Sequence, residues 1–80
     1  FNPMTTIHYE LISDSHVAIT IYDILGAVIN NLLLENQLSG NHSVQWNGKD
    51  NRGKLVSAGV YFYSIEIDNF RQTNKMILLK

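Results

Sequence analysis

Apolar and polar residues alternate along most of this chain, and the alternation breaks only where turn formers cluster. Asn2-Pro3 opens it as a turn pair, with Pro3 fixing its own φ and biasing Asn2 toward extended backbone. From Thr6 to Leu11, Ile7, Tyr9 and Leu11 fall on one face and Thr6, His8 and Glu10 on the other. That is the period of a half-buried strand. Ser13-Asp14-Ser15 interrupts it, and His16 to Tyr22 resumes with Val17, Ile19 and Ile21 inward, β-branched residues that suit a pleated, packed surface. Asp23-Ile24-Leu25-Gly26 predicts a four-residue turn, because the aspartate accepts backbone hydrogen bonds and Gly26 takes positive φ freely. Its hairpin partner is Ala27 to Leu34. Val28, Leu32, Leu33 and Leu34 fit a helical stripe as well as a bulged strand, but no helix cap stands at Asn30 or Asn31, which favours the strand.

Ser39-Gly40-Asn41 marks the next corner, and His42 to Trp46 predicts a short strand with Val44 and Trp46 on one face. The stretch from Trp46 to Tyr63 organises the rest: an indole, a run of turn formers (Asn47, Gly48, Asp50, Asn51, Gly53), a small-residue corner (Ser57, Ala58, Gly59), then an aromatic strand. Trp and Tyr bury large apolar areas while keeping one polar atom that needs a partner, so they suit the margin of a thin core. Leu55-Val56 is expected to add a minimal edge strand. Val60 to Ile67 puts Tyr61, Tyr63, Ile65 and Ile67 on one face, and Asp68-Asn69 predicts a tight turn into Phe70 to Leu79. A two-residue loop sets Ile67 against Phe70, Glu66 against Arg71 and Ser64 against Thr73, with Ser64 and Glu66 on the outward face. It also sets Gln72 and Asn74 against Ile65 and Tyr63, so either a bulge shifts the register or that end of the strand is wet. The terminal Lys75-Met76-Ile77-Leu78-Leu79-Lys80 is apolar on both faces between two lysines, as in a strand buried on two sides or held against another body. About seven short strands and no helix predict an all-β fold, a small antiparallel sandwich of the immunoglobulin or fibronectin-III type.

Composition narrows the function classes. Eighty residues make one domain, 1–80, and chains of this size bury only roughly 60% of the surface exposed on unfolding. With 45% hydrophobic and 16% charged residues the chain is a folding one. A formal charge of −1 provides no field to attract nucleic acid or an anionic membrane. Absence of Cys excludes a disulfide framework and thiolate zinc sites. No signal peptide is visible, and no apolar run approaches the roughly 20 residues that span a bilayer. Because it opens on Phe1 rather than a methionine, the chain is expected to be part of a longer protein.

Candidate chemistry is sparse. His8, His16 and His42 lie on three predicted strands without HxH or HxxxH spacing, and outward strand positions account for them. Asn47 to Gly53 holds oxygen donors and glycines but lacks the order of a calcium loop. Asp14, Asp23, Asp50 and Asp68 all fall in predicted turns, where a carboxylate caps backbone N–H groups, and no Gly-x-Ser-x-Gly elbow is present. No catalytic, metal or cofactor site is expected. Tyr22 and Phe62, both predicted outward, would either offer a platform for sugar rings or pack under a loop or a neighbouring domain.

Taken together, Asn2-Pro3, Thr6 to Leu11, Ile21 to Gly26, Val44 to Gly53, Ser57 to Tyr63 and Lys75 to Lys80 closely resemble the type A C-terminal sorting domains of the type IX secretion system, across essentially the whole chain. The Tyr-Asp-x-x-Gly, Trp-Asn-Gly and Gly-Val-Tyr pieces are also similar to the immunoglobulin-like domain of flagellar hook-capping proteins. The first resemblance implies a non-catalytic secretion signal at the end of a cargo protein, passing through the periplasm to the cell surface or medium. Its implied partners are an outer-membrane translocon, a sortase-like peptidase and the N-terminal cargo, without nucleic acid, cofactor or membrane insertion. Carried over residue by residue, the implied recognition positions are Gly59, Tyr61, Lys75, Met76, Ile77, Leu78, Leu79 and Lys80. A sugar-binding or structural accessory module is the second expectation, and the assembly domain that the second resemblance implies is the third.

Overall fold

The computed structural model describes residues 4–79. The expected Asn2-Pro3 turn and Lys80 lie outside the described residues. Six strands follow in order: β1 (Thr5–Leu11), β2 (Ser15–Tyr22), β3 (Val28–Gln37), β4 (Gly40–Trp46), β5 (Gly59–Ile67) and β6 (Phe70–Leu78). They form two antiparallel sheets, one of four strands in the order β3-β2-β5-β6 and one of two, β1-β4. The expected seventh strand at Leu55-Val56 is not formed. Leu55 makes a single isolated bridge to Lys49, because the tight loop that joins them leaves no room for a longer ladder.

Period-2 alternation builds the core. Ile7 and Leu11 from β1, Val17, Ile19 and Ile21 from β2, Trp46 from β4, Tyr61 and Ile65 from β5, and Met76 and Leu78 from β6 are buried between the sheets. β3 resolves the helical ambiguity of its sequence. Its register against β2 slips twice, so that Leu33 faces Ile19 but Asn31 faces Thr20, and Asn30 faces Ile21 but Val28 faces Tyr22. Each slip leaves one extra residue, Leu32 and Ile29, in a bulge. Leu32 and Leu33, adjacent in sequence, therefore both pack against the core, which a regular strand forbids.

The β5–β6 hairpin has the expected pairing, with Ile67 opposite Phe70, Glu66 opposite Arg71 and Ser64 opposite Thr73. No bulge intervenes. The inward face of β6 is wet at its start, where Phe70 and Gln72 are exposed, and buried at its end, where Met76 and Leu78 are covered. Ser64 departs from expectation. It stands on the outward face yet is fully buried, because Tyr22 reaches across it and Ser64 Oγ donates to Tyr22 Oη at 3.4 Å.

Two loops share one hydrogen-bond plan. In Asp23–Ala27 the Asp23 N–H donates to Ala27 O, Gly26 N–H returns to Asp23 O, and Asp23 Oδ1 accepts from the N–H groups of Leu25 and Ala27. In Asp50–Lys54 the Asp50 N–H donates to Lys54 O, Gly53 N–H returns to Asp50 O, and Asp50 Oδ1 accepts from Arg52 and Lys54 N–H. The glycines carry φ of 87° and 82°, the left-handed residue that closes a three-residue hairpin loop. Asp-x-x-Gly is thus a repeated hairpin device. Asp14 and Asp68 reach further, accepting from Ser39 N–H and His16 N–H.

Candidate functional site

Trp46 is buried, and its Nε1–H donates to Lys49 O at 2.9 Å, an oxygen that also accepts from Asn30 Nδ2 at 2.7 Å. Asn51 adds two bonds to the bulged strand, donating its N–H to Ile29 O and accepting Asn31 N–H. These contacts fasten the Trp46–Val56 segment over the β3 side of the sandwich. Tyr61 meets the indole edge-on, with ring centroids 5.3 Å apart, and its hydroxyl donates to Ser57 O at 2.6 Å. Burial, together with the nearby Asp23 charge, raises its pKa above the ordinary 10.0.

The expected recognition positions separate into two groups. Gly59 opens β5 with φ of 147°, a conformation essentially confined to glycine. Tyr61, Met76 and Leu78 are core residues, with Tyr61 opposite Met76 and Gly59 opposite Leu78 in the ladder. Lys75, Ile77 and Leu79 face outward, Ile77 being 59% and Leu79 73% exposed. Because β6 ends the four-stranded sheet, alternate N–H and C=O groups along it lack a strand partner on their outer side. The terminal strand is buried on one face and open on the other and at its edge.

Beside it lies an open groove of about 440 Å³ on the outer sheet face, lined by Tyr22, Phe62, Arg71, Thr73 and the loop residues Ile24 and Leu25. Tyr22 and Phe62 are opposite each other in the β2–β5 ladder. Arg71 Nη2 donates to Tyr22 Oη at 3.1 Å, with its guanidinium carbon 5.9 Å from the ring centre. Both aromatics are half-buried beneath the Asp23–Gly26 loop rather than laid out as a flat platform, while Leu25 at the tip is 89% exposed. Sequence reasoning missed Arg71 in this setting, since its contact with Tyr22 spans 49 residues.

The histidines are engaged separately. His16 Nδ1 lies 2.8 Å from Asn36 Oδ1 and His42 Nε2 lies 2.7 Å from Leu38 O. His42 is not outward. It shares the face of Val44 and Trp46, and its ring stacks on Tyr9 at 5.5 Å, whose hydroxyl donates to Gln37. Among the described residues no three His, Asp or Glu side chains gather closely enough to hold a metal ion.

Two antiparallel sheets packed face to face around Trp46, with an open edge at β6, make this an immunoglobulin-like β-sandwich. Residues 4–69 match the model of the FlgD Ig-like domain, and the chain belongs to that family. It is similar to the crystal structure of FLGD from P. aeruginosa, at 26% sequence identity and a TM-score of 0.73. The likeness covers 94% of this chain and 58% of that one. No curated protein sequence matches significantly.

Proposed function

We propose that this domain is a non-catalytic contact module that helps a larger protein assemble, in the manner of the immunoglobulin-like domain of flagellar hook-capping proteins. The observation that carries this reading is the family match over residues 4–69, which includes both Asp-x-x-Gly loops, the Trp46 anchor and the Gly59 corner. Contact would fall on the sheet edges and the exposed apolar side chains near β6. The test is an exchange: replace the immunoglobulin-like domain of P. aeruginosa FLGD with residues 1–80 and score hook formation and swimming. Restored assembly supports the reading, whereas a stable, folded chimera with no hooks counts against it.

A second reading rests on the sequence resemblance of Lys75 to Lys80 to the closing strand of type IX sorting domains. Residues 70–79 fall outside the family match, form the edge strand, and carry Lys75, Ile77 and Leu79 outward. In this reading the strand is the address of a type IX sorting signal, recognised by the outer-membrane translocon with a sortase-like peptidase acting later. The cargo would pass through the periplasm to the cell surface or medium. A reporter carrying a signal peptide and residues 1–80, expressed in a bacterium with that machinery, would then appear outside the cell. Reporter that stays in the periplasm with the domain folded rejects the sorting reading and leaves the assembly one.

A further inference from the structure

Two of the surface grooves differ in their chemistry. The cleft of about 380 Å³ between β1 and the inner face of β5 and β6 offers His8, Glu10, Gln72 and Asn74, donors and acceptors together, and so selects no one ligand. The groove of about 440 Å³ on the outer sheet face is lopsided toward donors. Tyr22 Oη accepts from both Ser64 Oγ and Arg71 Nη2, so its own hydrogen is a donor with no acceptor among the described residues. The Arg71 guanidinium is a fork of N–H donors, of which only Nη2 has a hydrogen-bond partner there. Its Nε stands 3.9 Å from Glu66 Oε1, beyond hydrogen-bond reach, in a pair too exposed to hold it tightly. Thr73 adds a hydroxyl, and the carboxylate that lines the groove, Asp23, already accepts the N–H groups of Leu25 and Ala27. The remaining walls are apolar. Phe62 lies between Tyr22 and Lys75 in the ladders, and Ile24 and Leu25 are exposed along the loop.

We infer that the outer groove receives an acidic segment of a partner protein, in which a glutamate or aspartate adjoins a leucine or phenylalanine. The inference rests on the contact-module reading above and gives the partner's chemistry. Arg71 Nη2 and Tyr22 Oη stand 3.1 Å apart, close enough for the two oxygens of one carboxylate to accept from both groups. Such charge-assisted bonds are among the stronger ones a protein surface makes. The apolar neighbour of that carboxylate covers Ile24, Leu25 and Phe62, which water otherwise wets. Charge chooses a carboxylate over a phosphate. With Glu66 and Asp23 close to a single guanidinium, one negative charge is matched, whereas the nearly doubled charge of a phosphate is repelled. Shape chooses a protein segment: the rings lie half-buried beneath the loop, with no flat face for a sugar to stack on, and an open groove cannot enclose a small molecule as ligand pockets do. A lone ion pair selects the partner without creating a long-range field.

The test adds the end-blocked peptide Ac-Ser-Leu-Glu-Phe-Ser-amide, or its glutamine counterpart, to residues 1–80 and follows amide chemical shifts. The glutamate peptide shifts the amides of Tyr22, Leu25, Phe62 and Arg71. It binds at least about tenfold tighter than the glutamine one, the worth of one charge-assisted hydrogen bond. Arg71→Gln removes that preference, which a merely structural loss would leave in place. Leu25→Ser, at an exposed tip, weakens both peptides with Tm unchanged. No shift at millimolar peptide, equal affinity for the two peptides, a preference that survives Arg71→Gln, or shifts confined to other faces overturns the proposal. Tighter binding of a phosphoserine peptide or of phosphatidylglycerol vesicles overturns it too, and would assign the groove to a phosphate or a membrane. A groove already filled in a longer parent chain also overturns it, by assigning the site to flanking polypeptide. Failure of the peptide beside a hook-forming FLGD chimera removes this inference alone. Binding beside an inert chimera upholds it and removes the hook-cap reading.

Discussion

Single side chains hold this small domain at its polar margins as much as in its apolar centre. Trp46 contributes area and also a donor, and Lys49 O keeps Asn30 as a partner if that donor is removed. Trp46→Phe should therefore cost well under half of Trp46→Ala, which is expected to lose about 3–5 kcal/mol, read by urea denaturation of both variants. Tyr9 and Tyr61 add an alkaline limit. Burial is the main cause that raises both pKa values above 10.0, helped by the nearby charges of Glu35 at Tyr9 and Asp23 at Tyr61. A raised folded pKa means that the neutral phenol is favoured in the fold, so this stability is fully present below pH 10.0 and is lost as pH climbs through the folded values. Tyr61→Phe should flatten the decline of Tm above pH 10 while lowering Tm at neutral pH, since the bond to Ser57 O goes with the hydroxyl.

At the scale of elements, the two Asp-x-x-Gly loops show why hairpins form where they do. The Asp50 carboxylate is held below its usual range, first by the backbone N–H of Lys54 and then by that of Arg52 and the charges of both side chains. A depressed folded pKa gives stability that is present above the ordinary carboxylate value of 3.8 and is lost as pH falls through the folded one. Asp50→Asn keeps an acceptor oxygen and removes the titration, so its stability should vary less with pH between neutrality and the acid limit than that of the parent, as followed by circular dichroism. Such local devices were legible in the sequence, because an aspartate, a glycine and their spacing carry the whole plan. So was the β5–β6 register, which a two-residue loop dictates. The double bulge of β3 was legible only as an ambiguity between stripe and strand, since the bulged strand is held by Asn30 bonding Lys49 O and Asn31 bonding Asn51, 19 and 20 residues away. The burial of Ser64 was not legible at all, because Tyr22, itself held by Arg71, comes from another strand to cover it. For the same reason neither groove was visible before the sheets were assembled: each is lined by strands far apart in sequence.

Across the whole molecule the question is whether β6 serves the fold, the partner, or both, and its alternating faces allow the two roles to be separated. Met76 and Leu78 close the core against Tyr61 and the start of β5, while Lys75, Ile77 and Leu79 touch little of the domain itself. A core truncation such as Met76→Ala should cost about 2–5 kcal/mol. Outward substitutions, Ile77→Asp with Leu79→Asp, should stay within about 0.5 kcal/mol of the parent, as surface changes away from special features do. If the outer face and edge form the contact surface, the outward pair abolishes assembly or export while the domain melts at its usual temperature. Met76→Ala would then impair function only as far as it unfolds the domain, and cooling or a compensating stabilising change should restore it. The opposite pattern, with function following stability in both variants, would make β6 a closing strand of the sandwich and move the contact surface elsewhere. A net charge of only −1 points the same way about the kind of contact involved: without a strong field, association relies on backbone pairing and apolar side chains and should change little between low and physiological salt.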